Sequence, residues 1–149
     1  MGKHADNGGY IGVWPYHVGV IAPFGFAPPG LDDAVGRTLW GLLARKRRQG
    51  PVTLATLQGV PVSRAALAAG DRYVWPVGHH GDGGYRLAHL RACVGVAASV
   101  DALVLFHGPD PPPEMGWVLA VARRLGTATR SVRVTEPAAD RVTGRGQDR

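Results

Sequence analysis

The sequence predicts an α/β protein, a single Rossmann-like three-layer sandwich around a mainly parallel five-stranded sheet. Three observations predict it. Short β-rich runs alternate with helical stripes across residues 17–135. Two of the runs, 18–22 and 102–106, are continuously apolar rather than alternating, as strands covered by helices on both faces must be. The chain has 149 residues, 45% hydrophobic and 19% charged, which suits one core-bearing domain. Right-handed crossovers between successive strands then place helices on both faces.

Residues 1–16 are glycine-rich and polar and read as an N-terminal arm, with Trp14 and Tyr16 able to dock it onto the body. His17–Ala22 is the first strand, closed by Pro23 and Gly25. Prolines and glycines keep 23–30 from helix. Asp32 is placed as a helix N-cap, with Val35, Leu39, Leu42 and Leu43 at helical spacing and a basic run before Gly50. Val52–Leu57 is the second strand, and Ser63–Ala69 a short helix stopped by Gly70. Tyr73–Val77 is the third strand, with Pro76 marking an edge or an end. A glycine loop follows, then a helix with its stripe at Leu87, Leu90, Val94 and Ala97. Ala102–His107 is the fourth strand. Met115, Val118, Leu119, Ala122 and Leu125 mark the last helix, and Ser131–Thr135 the last strand. Residues 136–149 read as a polar, disordered tail.

No run of 18 apolar residues exists, which excludes a transmembrane helix, and no secretory signal is recognisable at the start. With one cysteine, Cys93, no internal disulfide is possible, and Cys93 sits near an apolar stripe as a core residue. A cytoplasmic location is expected. The formal charge is +6. Both termini cancel internally, so the excess lies centrally, where Arg45, Lys46, Arg47 and Arg48 are consecutive. Such a run contacts phosphate backbones, or it is the solvated end of a helix where cations meet the negative dipole end. With 15 arginines against 2 lysines, the composition has a high-GC coding bias, so arginine count alone is no evidence for nucleic acid.

Ligands of open parallel sheets bind beyond the strands' carboxyl ends, where strand order reverses and helix N-termini offer free N–H groups. The loops on that edge are 22–31, 58–62, 78–84 and 107–114. They supply Pro23, Phe24, Gly25, Gln58, Gly59, His79, His107, Gly108 and Asp110 as ligand-binding candidates, with Ser63 just beyond the second loop. Ser63 reads more simply as a helix cap. His80 and Asp82 share a loop with His79, yet no third ligand has metal spacing, so no metal site is expected. No cofactor is expected either: G-x-G-x-x-G and G-x-x-x-x-G-K-[ST] are both absent, which argues against a dinucleotide enzyme or an NTPase. Glu114 carries the strongest chemistry. A carboxylate at the start of the last helix is placed to attack an anomeric carbon, or it is a first-turn acid favoured by the helix dipole.

The stretch Ser99-Val100-Asp101-Ala102-Leu103-Val104-Leu105-Phe106-His107-Gly108, followed by Glu114-Met115-Gly116-Trp117 and Arg123-Arg124-Leu125-Gly126, resembles the C-terminal half of the SLOG superfamily. That superfamily gathers YspA-related, DprA-like and LOG phosphoribohydrolase proteins. The stretch is also similar to nucleoside 2-deoxyribosyltransferases, where an acid precedes an apolar strand and an E-L-G-Y-A type segment starts the next helix. The resemblance implies a Rossmann-like nucleotide-binding fold, with Glu114 as nucleophile. It departs from those families after the first two strands, where Ala22-Pro23-Phe24-Gly25 and Leu57-Gln58-Gly59-Val60-Pro61 replace glycine-richer turns. Before Glu114, Pro111, Pro112 and Pro113 remove three N–H donors from a phosphate's place.

The function expected is binding of a nucleotide- or nucleoside-like small molecule at the carboxyl edge, with N-glycosidic cleavage or transfer through Glu114. The alternative is a non-catalytic binding or scaffold protein with a vestigial site. It would act as a homo-oligomer, through aromatics such as Trp40, Trp75 and Trp117, or through the basic surface 45–48. A homo-oligomer is expected in either case, nucleic acid is the less favoured partner, and no membrane partner is expected.

Overall fold

In the computed structural model, residues 16–57, 60–66, 72–75 and 84–135 are described. They form β1 (Tyr16–Ile21), α1 (Leu31–Arg47), β2 (Val52–Leu57), α2 (Pro61–Ala66), β3 (Arg72–Trp75), α3 (Gly84–Ser99), β4 (Ala102–His107), α4 (Pro113–Arg124) and β5 (Ala128–Arg133). The result is an α/β fold with helices interleaved between parallel strands. Sheet order is β3-β2-β1-β4-β5, and all four pairings are parallel. The expected arm up to residue 15, the tail and the glycine loop up to residue 83, with Gln58, Gly59 and His79, lie outside the described residues, while Tyr16 begins β1 and Gly84 begins α3.

The continuous apolar runs are explained by cover on both faces. From β1 and β4, Val18, Val20, Val104 and Phe106 join Val35, Leu39 and Leu43 of α1 and Val62 of α2 in one buried cluster. The alternate residues Ile21, Leu103 and Leu105 join Cys93 and Val96 of α3 and Met115 and Val118 of α4 in the other. A strand with period-two side chains can feed two cores only if both sets are apolar. Gly19 serves close approach: a Cβ there would lie 2.6 Å from Val96 Cγ1 and 3.1 Å from both Leu103 Cδ1 and Val100 Cγ2. This lets α3 settle directly onto β1.

Several boundaries differ from the sequence expectation. β1 starts at Tyr16, one residue early. α1 is capped by Gly30, not Asp32; Gly30 has φ 82° and its carbonyl accepts from Ala34 N–H at 3.0 Å. Only glycine enters that left-handed region without cost, so the turn fixes the start and Asp32 falls in the first turn. α2 begins at Pro61, the residue suited to a first helical position, so Ser63 lies within the helix rather than capping it. β3 spans 72–75 rather than 73–77. The buried face of α3 is Ala88, His89, Ala92, Cys93, Val96 and Ala97; Leu90 and Val94 of the expected stripe flank it. Small residues face the sheet because the helix sits close. Leu125 is exposed at the end of α4, and β5 begins at Ala128 rather than Ser131.

Candidate functional site

Strand order reverses between β1 and β4: β1 leads outward to β2, and β4 to β5. The loops 22–30 and 108–112 leave this point in opposite directions, and the N-terminal turns of α3 and α4 close the same edge. Here the fold gathers Ala22, Phe24, Arg86, His89 and Glu114.

Glu114 is the second residue of α4. Pro112, extended at φ −61° and ψ 149°, precedes the helix, and Pro113 occupies a first-turn position where no N–H is needed. No side chain caps this end. The Arg86 guanidinium donates to Glu114 Oε2 at 3.1 Å, with side chains 65% and 27% exposed. Glu114's own backbone N–H holds the carboxyl below its ordinary value; partial desolvation opposes this, and Arg86 and then His89 add to the lowering. The group is therefore a carboxylate at neutral pH, the state a nucleophile requires and a general acid does not.

His89 is buried one turn further along α3 than Arg86. Burial pushes its pKa down; a hydrogen bond to the Ala22 backbone raises it, Arg86 lowers it and Glu114 raises it, in that order of size. The neutral imidazole packs edge-on against Phe24, centroids 5.7 Å apart at 71°. Cys93 Sγ lies 3.8 Å from His89 Nδ1, and burial pushes that thiol up to about 12, so it is protonated and unreactive at neutral pH.

Sequence reasoning missed Arg86 and His89. The signal was a histidine at helical spacing among Ala88, Ala92, Cys93 and Val96, that is, on the face aimed at the sheet. Of the residues it did name, Phe24 is exposed beside His89. Pro23 is buried, its carbonyl closing a turn with Phe26 N–H at 3.0 Å, and Gly25 carries the positive φ of 75° that the turn needs. His107 is half-buried and turned onto its own chain, with Nδ1 2.7 Å from the Gly108 carbonyl. Asp110 is exposed, and Ser63 lies on α2. Asp101, in the stretch that carries the resemblance, accepts from His17 N–H at 2.8 Å at the opposite, amino edge.

Glu114 lines neither of two cavities that the described residues form along the carboxyl edge. One, of about 390 Å³, lies between Pro28, Gly30, Asp32 and Asp33 and the start of α2 at Pro61 and Arg64. The other, of about 410 Å³, lies between Phe26, Pro28, Pro29, Gly108, Pro109 and residues 133–135. Among the described residues no group of three histidines, cysteines or acids is placed to hold a metal, and no helix is long and apolar enough to cross a membrane.

No family model matches the chain, and neither does any curated protein or solved structure. The site is therefore read from its own chemistry. The basic run 45–48 belongs to the far edge: it ends α1, which returns antiparallel to the strands. Lys46 Nζ sits 4.3 Å above the Tyr16 ring, and Arg45, Arg47 and Arg48 are exposed.

Proposed function

We propose that the carboxyl edge binds a nucleoside- or nucleotide-like molecule and that Glu114 cleaves or transfers its N-glycosidic bond. The observation that carries this is a half-buried, ionised carboxylate at the point where strand order reverses. An oxygen of Glu114 bonds to the anomeric carbon as the carbon–nitrogen bond breaks and the base leaves with the electron pair. Water or a second base then attacks the same carbon and frees Glu114, a double displacement that retains configuration. Arg86 holds the carboxylate in place, and the exposed face of Phe24 offers a flat apolar wall for a base. The likeness of Glu114-Met115-Gly116-Trp117 to the transferase helix start supports the same role.

Incubating the protein with purine and pyrimidine nucleosides, 2-deoxynucleosides and their monophosphates, and measuring free base, tests it. Release is expected with at least one of them, and Glu114→Gln lowers the rate by roughly 10³-fold or more, as loss of a nucleophile does. No free base and no thermal shift with any member of the set sinks the reading.

A second reading, a binding protein with a vestigial site, is favoured by the Arg86 guanidinium already resting on the carboxylate and by the prolines that strip donors from 111–113. Its signature is a raised melting temperature without base release.

A further inference from the structure

The cavity on the α1 side of the β4–β5 edge belongs to no step of that chemistry, and its walls have a chemistry of their own. Phe26, Pro28, Pro29, Pro109 and Val134 make it predominantly apolar. At about 410 Å³ it falls within the range of roughly 300–1,000 Å³ typical of small-molecule sites. The walls are preformed. Proline side chains have no rotamer freedom to lose on binding. The Phe26 ring rests on the backbone at Gly108, where a Cβ would meet Phe26 Cε1 at 3.4 Å. Val134 is buried, and its N–H is bonded to the His107 carbonyl at 2.8 Å, which pins the chain as it leaves β5.

Among the described residues that line this cavity, Arg133 is the only charged one. Arg133 lines it, and no ion-pair partner for Arg133 is present among the described residues. Asp110 follows Pro109 but is not part of the lining; Asp32 and Asp33 line the neighbouring cavity beyond Pro28. We propose that this cavity binds a small, flat, apolar molecule carrying one carboxylate, its ring against Phe26 and the prolines and its carboxylate on the Arg133 guanidinium. A carboxylate fits better than a phosphate. A guanidinium satisfies a carboxylate with two parallel N–H bonds. A phosphate needs further donors, and Pro28, Pro29 and Pro109 have no N–H to give. The Thr135 hydroxyl can add a single bond. The site stands independently of the role of Glu114.

Titration of the full chain with 2-naphthoate, followed by calorimetry and amide NMR shifts, tests the proposal, with 2-naphthamide as the uncharged probe of the same shape. Saturable one-to-one binding of the naphthoate is expected, at least tenfold tighter than the amide. Shifts should concentrate at Phe26, Ala27, Gly108 and residues 133–135. Arg133→Gln is expected to weaken naphthoate at least tenfold, and Arg133→Lys by less, because lysine keeps the charge but not the fork. Arg45→Gln, which removes the same charge at the opposite edge, should leave affinity unchanged. Thr135→Trp fills the rim and should abolish binding while Arg133 remains. Equal affinity for naphthoate and naphthamide, or undiminished binding by a folded Arg133→Gln variant, overturns the proposal. So does naphthoate binding whose shifts map elsewhere, or no saturable binding.

Discussion

The two edges of the sheet are built to different ends. At the amino edge, polar groups tie strands distant in sequence. His17 N–H donates to Asp101 Oδ2 at 2.8 Å, and Asp101 N–H returns a bond to the His17 carbonyl at 2.8 Å. The Asp101 carbonyl takes Ala128 N–H at 3.0 Å, and the His17 ring meets Thr53 Oγ1. Thr127 Oγ1 donates to the Ala97 carbonyl at 3.1 Å. One aspartate thereby fastens β1, β4 and β5. The carboxyl edge instead carries proline and glycine loops, cavities and an exposed ion pair. The difference teaches where this chain keeps its stability and where it leaves room for a ligand.

The largest effect on stability should come from breaking the fastened edge. Asp101→Ala leaves the His17 N–H without its carboxylate in a part-buried place, which costs about 1–3 kcal/mol. Urea unfolding should show a lower midpoint, and Asp101→Asn, which retains an acceptor oxygen, should recover much of it. Thr127→Val keeps the shape and removes the hydroxyl donor, a loss of about 1 kcal/mol. At the open edge, Glu114→Gln should leave the midpoint at neutral pH nearly where it was, since exposed ion pairs contribute little. A midpoint that falls further for Glu114→Gln than for Asp101→Ala reverses the contrast.

A pH series sharpens it. His89 is buried with its pKa below 6.5 in the folded state, so the unfolded chain binds its proton first as pH falls. Stability from this group is complete above pH 6.5 and declines from there down to the folded value. Glu114 acts lower: its folded pKa lies under 4.5, so its contribution is present above that pH and is lost as pH drops through the folded value. Between pH 7.5 and 5.5 the urea midpoint should fall for the native chain and stay flatter for His89→Gln. An equally steep fall in the variant assigns the pH dependence to another group.

The same contrast governs what was legible in the sequence. β1 and β4 were readable because two apolar cores demand unbroken hydrophobic runs. β5 was placed three residues late because an edge strand such as Ala128–Arg133, largely exposed, has no such demand. The α1 start was misread because the decisive fact is the left-handed φ of Gly30, which residue identity only permits. Glu114 was legible through the prolines that force a helix to begin there. The fastening role of Asp101 was not legible, since its partner lies 84 residues earlier in the chain. His89 was invisible for a related reason: local spacing makes it one polar residue on a helix, and only the packing of α3 on β1 brings it under Phe24.

The smallest effect concerns the basic run at the fastened edge. Lys46 stands 4.3 Å above the Tyr16 ring, where β1 begins, so this cation of the run packs against the fold. A cation over an aromatic face at a partly exposed position contributes about 0.5–1 kcal/mol. Lys46→Gln should lower the urea midpoint by about that amount, and Lys46→Arg, which stacks on the same ring, should restore it. Arg45→Gln and Arg48→Gln, at exposed positions, should leave the midpoint unchanged. Equal effects from all three neutral substitutions would mean that overall charge, rather than the Tyr16 contact, sets stability at this edge.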